Sequence, residues 1–211
     1  MQATENKREV FDGVTRLMHW LTAGCMLSVF VLAFSIDFAA SRASHNEILQ
    51  LHRLMGLTIW LMTLFRLVWR QNATYPDWPE DLTKAMRVLA RITEYSLYVM
   101  LLLQPILGVM QTNAHGDRVN LPFVGRLPAL IGKNLPLAGQ LLAAHKAVGF
   151  ALLGLIAFHG SAALFHHFVR RDDVLRRMLP VAATWRRKSI QGSVVSQKGN
   201  ATTAISSQSN S

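Results

Sequence analysis

The chain has one cysteine, Cys25, in 211 residues, which excludes an internal disulfide. It has no C-x-x-C-H run, which excludes covalent haem attachment. There is no Gly-rich phosphate loop and no internal repeat. Acidic residues are scarce, 12 against 22 Lys plus Arg, for a net charge of +10. None of them falls inside a long apolar run, so ion or proton transport through intramembrane carboxylates has no groups to use. Nor does the positive charge form a nucleic-acid patch, because the basic residues lie between apolar blocks instead of clustering on one stretch.

What the sequence does contain is four apolar blocks, at about 17–36, 49–69, 95–113 and 141–171. Each is near the ~20 residues that cross a bilayer as a helix. The third includes Pro105, which a membrane helix tolerates as a kink. This pattern predicts an all-α integral membrane four-helix bundle, with spans at about 14–36, 48–69, 93–112 and 140–169 in a domain of residues 1–188. The Ser, Thr, Gln and Asn composition of 189–211 predicts a disordered polar tail. Most of the 22 Lys and Arg flank the blocks on the side of the two termini, so the positive-inside rule predicts a multi-pass protein with both termini cytoplasmic. A cleaved signal peptide is the competing reading of the first block, but it would remove a histidine that the pattern below requires.

The fourth block, LLAAHKAVGFALLGLIAFHGSAALFHHFVRR, carries His145 and His159 fourteen positions apart. On a helix that is roughly 21 Å of rise, with the two imidazoles within about 40° of one another. His19 enters the first block from the cytoplasmic edge, and His52 enters the second from the external edge. In an antiparallel bundle two depth-matched pairs result, His19 with His159 and His52 with His145. Bis-imidazole coordination of a haem iron needs two histidines on different helices at equal depth, facing inward. One turn after these histidines come Ala23, Gly56, Gly149 and Ala163, small enough for a flat macrocycle to lie alongside; small residues also let membrane helices pack closely. A zinc site would gather its ligands at one depth, often with Cys or carboxylate.

Cys25 reads as a small packing residue, and His45 and His115 as solvated loop residues. His166 and His167 fall at headgroup level, either as plain interfacial residues or, for His166, as a hydrogen-bonding and proton-handling contact to a quinone carbonyl. The connection 113–140 is Gly- and Pro-rich and apolar enough to lie on the membrane surface, and RRDDVLRRMLP after the fourth block suits anionic lipid headgroups.

Five short runs carry a resemblance: R-L-M-H-W at 16–20, H-R-L-M-G at 52–56, Q-P-I-L-G at 104–108, H-K-A-V-G at 145–149, and F-H-G-S-A-A-L-F-H-H-F-V-R-R-D-D-V-L-R-R-M-L-P at 158–180. Over about residues 10–180 the chain resembles the bacterial cytochrome b561 family, within the larger group that includes the b-type cytochrome subunits of nickel–iron hydrogenases. The resemblance implies a bundle in the bacterial inner membrane enclosing two non-covalent b haems. It carries iron ligation onto His19 and His159 on the cytoplasmic side and onto His52 and His145 on the periplasmic side. It implies a quinone-linked oxidoreductase of superoxide-oxidase type, passing electrons from superoxide or another small donor through the haems to ubiquinone. His166 is then the expected quinone contact. Arg53 and Lys146 are expected at an anion or a haem propionate, with Arg118 and Lys133 adding external positive charge. Arg16, three residues before His19, is placed as in the hydrogenase-type subunits, for which the function would be a haem b electron relay and membrane anchor for a partner dehydrogenase or hydrogenase. The expected partners are membrane lipid, a quinone and a redox protein, not nucleic acid.

Overall fold

A computed structural model describes residues 10–73, 76–78, 82–121 and 125–179; the polar tail and the basic residues near both chain ends, Lys7 and Arg186 among them, lie outside the described residues. Four helices carry the fold: α1 (Gly13–Ser35), α2 (Arg42–Asn72), α3 (Lys84–His115) and α4 (Leu135–Phe165). All four are long and apolar enough to cross a membrane, and large apolar side chains such as Leu27, Val31, Leu61, Val99 and Phe150 point outward from the bundle.

The helices run longer than the apolar blocks because polar caps, not hydropathy, set their ends. Ser41 and Ser44 form a reciprocal capping box at the start of α2, Thr83 caps α3, and Asn134 caps α4. His45 therefore stands in the first turn of α2 and His115 is the last residue of α3, rather than either lying in a loop. Glu94 lies within α3, inside the span expected over about 93–112 and one residue before the apolar block that opens at 95. Gly116 closes α3 at φ +103°, where a Cβ would also press within 3.1 Å of the Lys133 side chain.

At the start of α1, the Asp12 carboxylate accepts the N–H and hydroxyl of Thr15 at 3.0 and 2.6 Å, and the indole N–H of Trp69 at 3.2 Å. Burial alone would raise the Asp12 pKa, but these hydrogen bonds outweigh it and hold it below the ordinary 3.8. A group depressed on folding stabilises above its unfolded pKa and loses that contribution as pH falls through the folded one. Asp12→Ala should therefore cost about 0.5–2 kcal/mol at neutral pH, as N-cap losses do. Thermal melting in detergent should show the variant and wild type converging below pH 3.8.

The connection between α3 and α4 is shorter than the 113–140 expected and carries structure of its own. It holds a small antiparallel hairpin, β1 (Asn120–Leu121) and β2 (Gly125–Arg126). Buried Asn113 anchors it by accepting the Leu130 N–H at 2.8 Å, and Val119 turns inward at 2% exposure. After α4 the chain makes one wider π-helical turn (His166–Arg170), closed by Arg171 at φ 57°. It then crosses back to α1, where the Trp20 indole donates to the Met178 carbonyl at 2.9 Å and Arg16 to that of Leu179 at 3.0 Å. The basic segment after α4 is thus fastened to the end of the bundle.

Packing divides the bundle into two hairpins. α1 packs on α2 and α3 on α4, with α2 against α3 joining them, whereas the backbones of α1 and α2 meet that of α4 at few points. A slot results between α4 and the first hairpin. It is closed midway by Met26, Val29, Ile59, Leu101 and Leu152, with Cys25 packed against this cluster as a core residue. Met26, Ile59 and Leu152 each stand seven residues from a paired histidine, so roughly 10 Å of apolar packing separates each histidine level from the centre. The level of Gly13 and Phe165 forms the terminal side of the bundle, and the level of Ser35 and Leu135 its far side.

Candidate cofactor site

Both imidazole pairs form across the slot. On the terminal side, His19 of α1 and His159 of α4 have ring centres 6.3 Å apart with planes at 61°. On the far side, His52 of α2 and His145 of α4 stand 6.1 Å apart at 78°. Two imidazole nitrogens bound to opposite sides of one metal ion at about 2.0–2.1 Å each place the ring centres roughly 6 Å apart. The four histidines fit a haem iron on this measure. Among the described residues no three His, Cys, Asp or Glu converge, so the donor set is two separate pairs and not a zinc cluster.

The far-side rings are also oriented for ligation. His52 Nδ1 lies 3.2 Å from the Val29 carbonyl and His145 Nδ1 lies 3.1 Å from the Gln104 carbonyl. A carbonyl can only accept, so each Nδ1 carries the proton and each Nε2 keeps its lone pair for a metal. Gln104 holds His145 a second time, its side-chain Nε2 donating to the His145 carbonyl at 2.8 Å. Around this pair lies a cavity of about 420 Å³, lined by Gly56, Gly108 and Gly149 beside the two histidines. A Cβ on Gly149 would come within 2.9 Å of Gln104 Nε2, and one on Gly108 within 3.3 Å of the His145 ring. A Cβ on Gly56 meets nothing within 4 Å and opens into the cavity.

Of the expected anion-drawing residues, Arg53 and Lys146 line this cavity. Arg118 and Lys133 are exposed on the loop that covers it and are not among its lining residues. His166 stands apart from both pairs. Its Nδ1 contacts the carboxylate of Asp172, which has 7% of its side chain exposed and lies 3.7 Å from Arg170 Nε. His167 instead stacks edge-on against Phe168, with ring centres 4.8 Å apart.

Three residues at these sites had no role assigned from sequence: Gln104, Asp172 and Arg66. Gln104 sat in a recognisable run with Pro105, but its partner is forty-one positions away in α4. Asp172 reaches His166 only because the chain reverses at Arg171. Arg66, near the end of the second apolar block, reads in the sequence only as one of the flanking basic residues.

A four-helix membrane bundle with imidazoles paired at two depths across a slot has the architecture of a b-type membrane cytochrome. The chain belongs to the prokaryotic cytochrome b561 family, whose sequence profile matches residues 10–181. It is similar to cytochrome b561 homolog 2 of Escherichia coli strain K12, 26% identical over 82% of this chain and 93% of that protein. It is also similar to the probable superoxide oxidase CybB of Yersinia pestis, 26% identical over 77% of this chain and 92% of that protein. Cytochrome b562 of Cereibacter sphaeroides is 28% identical over 79% and 95%, respectively. The protein is thus a bacterial membrane cytochrome for electron transfer through b-type haem.

Proposed function

We propose that the chain is a dihaem oxidoreductase of the bacterial inner membrane. His19 and His159 hold one b haem toward the cytoplasm, and His52 and His145 hold a second toward the periplasm. The observation that carries this reading is the pair of ring-centre distances, 6.3 and 6.1 Å, at two levels of a slot between helices whose backbones otherwise keep apart. The excess of Lys and Arg on the terminal side supports that side as cytoplasmic. When bound, the haems supply one-electron redox chemistry.

The remaining work falls to the side chains. The Val29 and Gln104 carbonyls keep the Nε2 atoms of His52 and His145 available. Arg53 and Lys146 give the far-side cavity a positive field that attracts an anionic donor or pairs with a haem propionate. On the terminal side, when His166 carries both ring protons, Asp172 accepts the one on Nδ1, and Nε2–H donates to a quinone carbonyl and can pass its proton on. The reaction that suits these groups is oxidation of superoxide by ubiquinone. Two superoxide anions each give up one electron and leave as dioxygen, while ubiquinone takes two electrons and two protons and leaves as ubiquinol. The name of the Yersinia pestis relative, probable superoxide oxidase, supports this choice of donor.

The test is haem stoichiometry on detergent-purified protein by the pyridine haemochrome method, followed by superoxide-driven ubiquinone reduction. The expected result is two low-spin b haems per chain and ubiquinol formed at one per two superoxide consumed. Folded protein with one haem or none would overturn the dihaem reading. Haems reduced only by a co-purifying dehydrogenase or hydrogenase would identify an electron-relay subunit instead.

A further inference from the structure

α2 carries two arginines one turn apart near its terminal-side end, and their surroundings differ. Arg70 forms an ion pair with Glu94 of α3 and lies 5.5 and 5.8 Å from the ring centres of Tyr95 and Tyr98. Arg66 lies one turn deeper. Its guanidinium sits 5.5 Å from the centre of the Tyr98 ring, and among the described residues it forms no ion pair. A guanidinium has five N–H donors, and a cation at membrane depth is costly enough that an anionic partner is the default expectation.

Depth identifies where that partner belongs. Arg66 stands six residues from the end of α2, His19 six from the start of α1, and His159 six from the end of α4. All three therefore share one level, and the charge of Arg66 is felt at both imidazoles. Glu94 is the other charge felt at His159, and it is already engaged by Arg70. Buried Tyr98 backs the guanidinium with its ring face, leaving the planar N–H edges free to meet a carboxylate. A haem b carries two such carboxylates on its propionates.

We propose that Arg66 binds a propionate carboxylate of the haem held between His19 and His159 and raises the reduction potential of that site; this rests on the reading that these two histidines ligate a haem. A nearby cation opposes the gain of positive charge on oxidation and so favours the ferrous state. The effect is strong where the surrounding dielectric is low.

The experiment is a spectroelectrochemical titration of the full-length protein in a His52→Ala background, which keeps the terminal-side haem alone. Arg66→Met should lower its ferrous-to-ferric ratio at a fixed applied potential by tenfold or more, about 59 mV for a one-electron couple. Arg66→Lys should recover most of that shift. The far-side haem, read in a His159→Ala background, should not respond. An unchanged potential in Arg66→Met, a Lys variant no closer to wild type than Met, or an equal shift at both haems would overturn the assignment. If Arg66→Met releases the haem from folded protein, retention is read instead: a Lys variant that keeps it supports the assignment, and one that loses it equally overturns it. A His52→Ala protein without any haem would overturn the ligation reading itself, and this assignment with it.

Discussion

His52→Ala is expected to halve the haem content, leaving one low-spin b haem per chain with the terminal-side pair intact. The two pairs are separated by the apolar cluster of Met26, Val29, Ile59, Leu101 and Leu152, and each pair joins a different helix to α4, so loss of one site does not require loss of the other. His159→Ala should give the complementary protein, retaining the far-side haem and losing the terminal-side one. Each variant should also abolish electron transfer across the membrane, since half of the route is missing in both. The check is haem per chain, with low-temperature spectra to tell the two survivors apart. A single variant that kept both haems would show that its histidine is not a ligand. Loss of both haems from one variant that stays folded would overturn the assignment of two independent ligand pairs.

Gly56→Leu should empty the far-side site without weakening the helices that frame it. Gly56 follows His52 by one turn on the same face, lines the cavity of about 420 Å³, and has nothing within 4 Å of where a Cβ would stand. A leucine there occupies space that a macrocycle bound to His52 and His145 needs, while its contacts in the apoprotein are with apolar cavity wall. Gly149→Ala is the informative contrast. Its Cβ would come within 2.9 Å of Gln104 Nε2 and push that amide off the His145 carbonyl. A buried amide left unpaired costs about 1–3 kcal/mol, so this variant should lose thermal stability even as apoprotein. Melting curves with and without haem therefore separate the two: Gly56→Leu lowers haem content alone, and Gly149→Ala lowers both. Equal haem binding by Gly56→Leu and wild type would mean that the cavity is not where the cofactor lies.

The four histidines and their depths were legible in the sequence because counting along antiparallel spans needs only the helical rise, and the apolar blocks are long and clean. The helix ends were not. Hydropathy marks where lipid contact stops, whereas Ser41, Thr83 and Asn134 stop the helices by hydrogen bonding in polar sequence further out. That difference brought His45 and His115 onto helices. Glu94 neutralises Arg70 from a different helix, a pairing that no local pattern announces. The Asp172 contact with His166 depends on a π-helical turn followed by a non-glycine residue at positive φ, and residue preferences disfavour both steps. Gln104 was visible as part of a motif but had no assigned purpose, because its purpose is the backbone of a helix that follows it by more than thirty residues.

The unequal sharing of ligands among helices has a consequence for the order in which the molecule can be made. α1 and α2 each supply one imidazole, α3 supplies none to either pair, and α4 supplies one to both. During synthesis neither pair can close until residue 145 has emerged, and the terminal-side pair waits for residue 159. A ribosome-bound chain that ends before α4 has two solitary imidazoles on separate helices and no complete site. If the two pairs ligate haem as proposed, capture of iron porphyrin is a late event that requires the last helix to have entered the bilayer, and a prematurely terminated product does not sequester haem in a half-built protein.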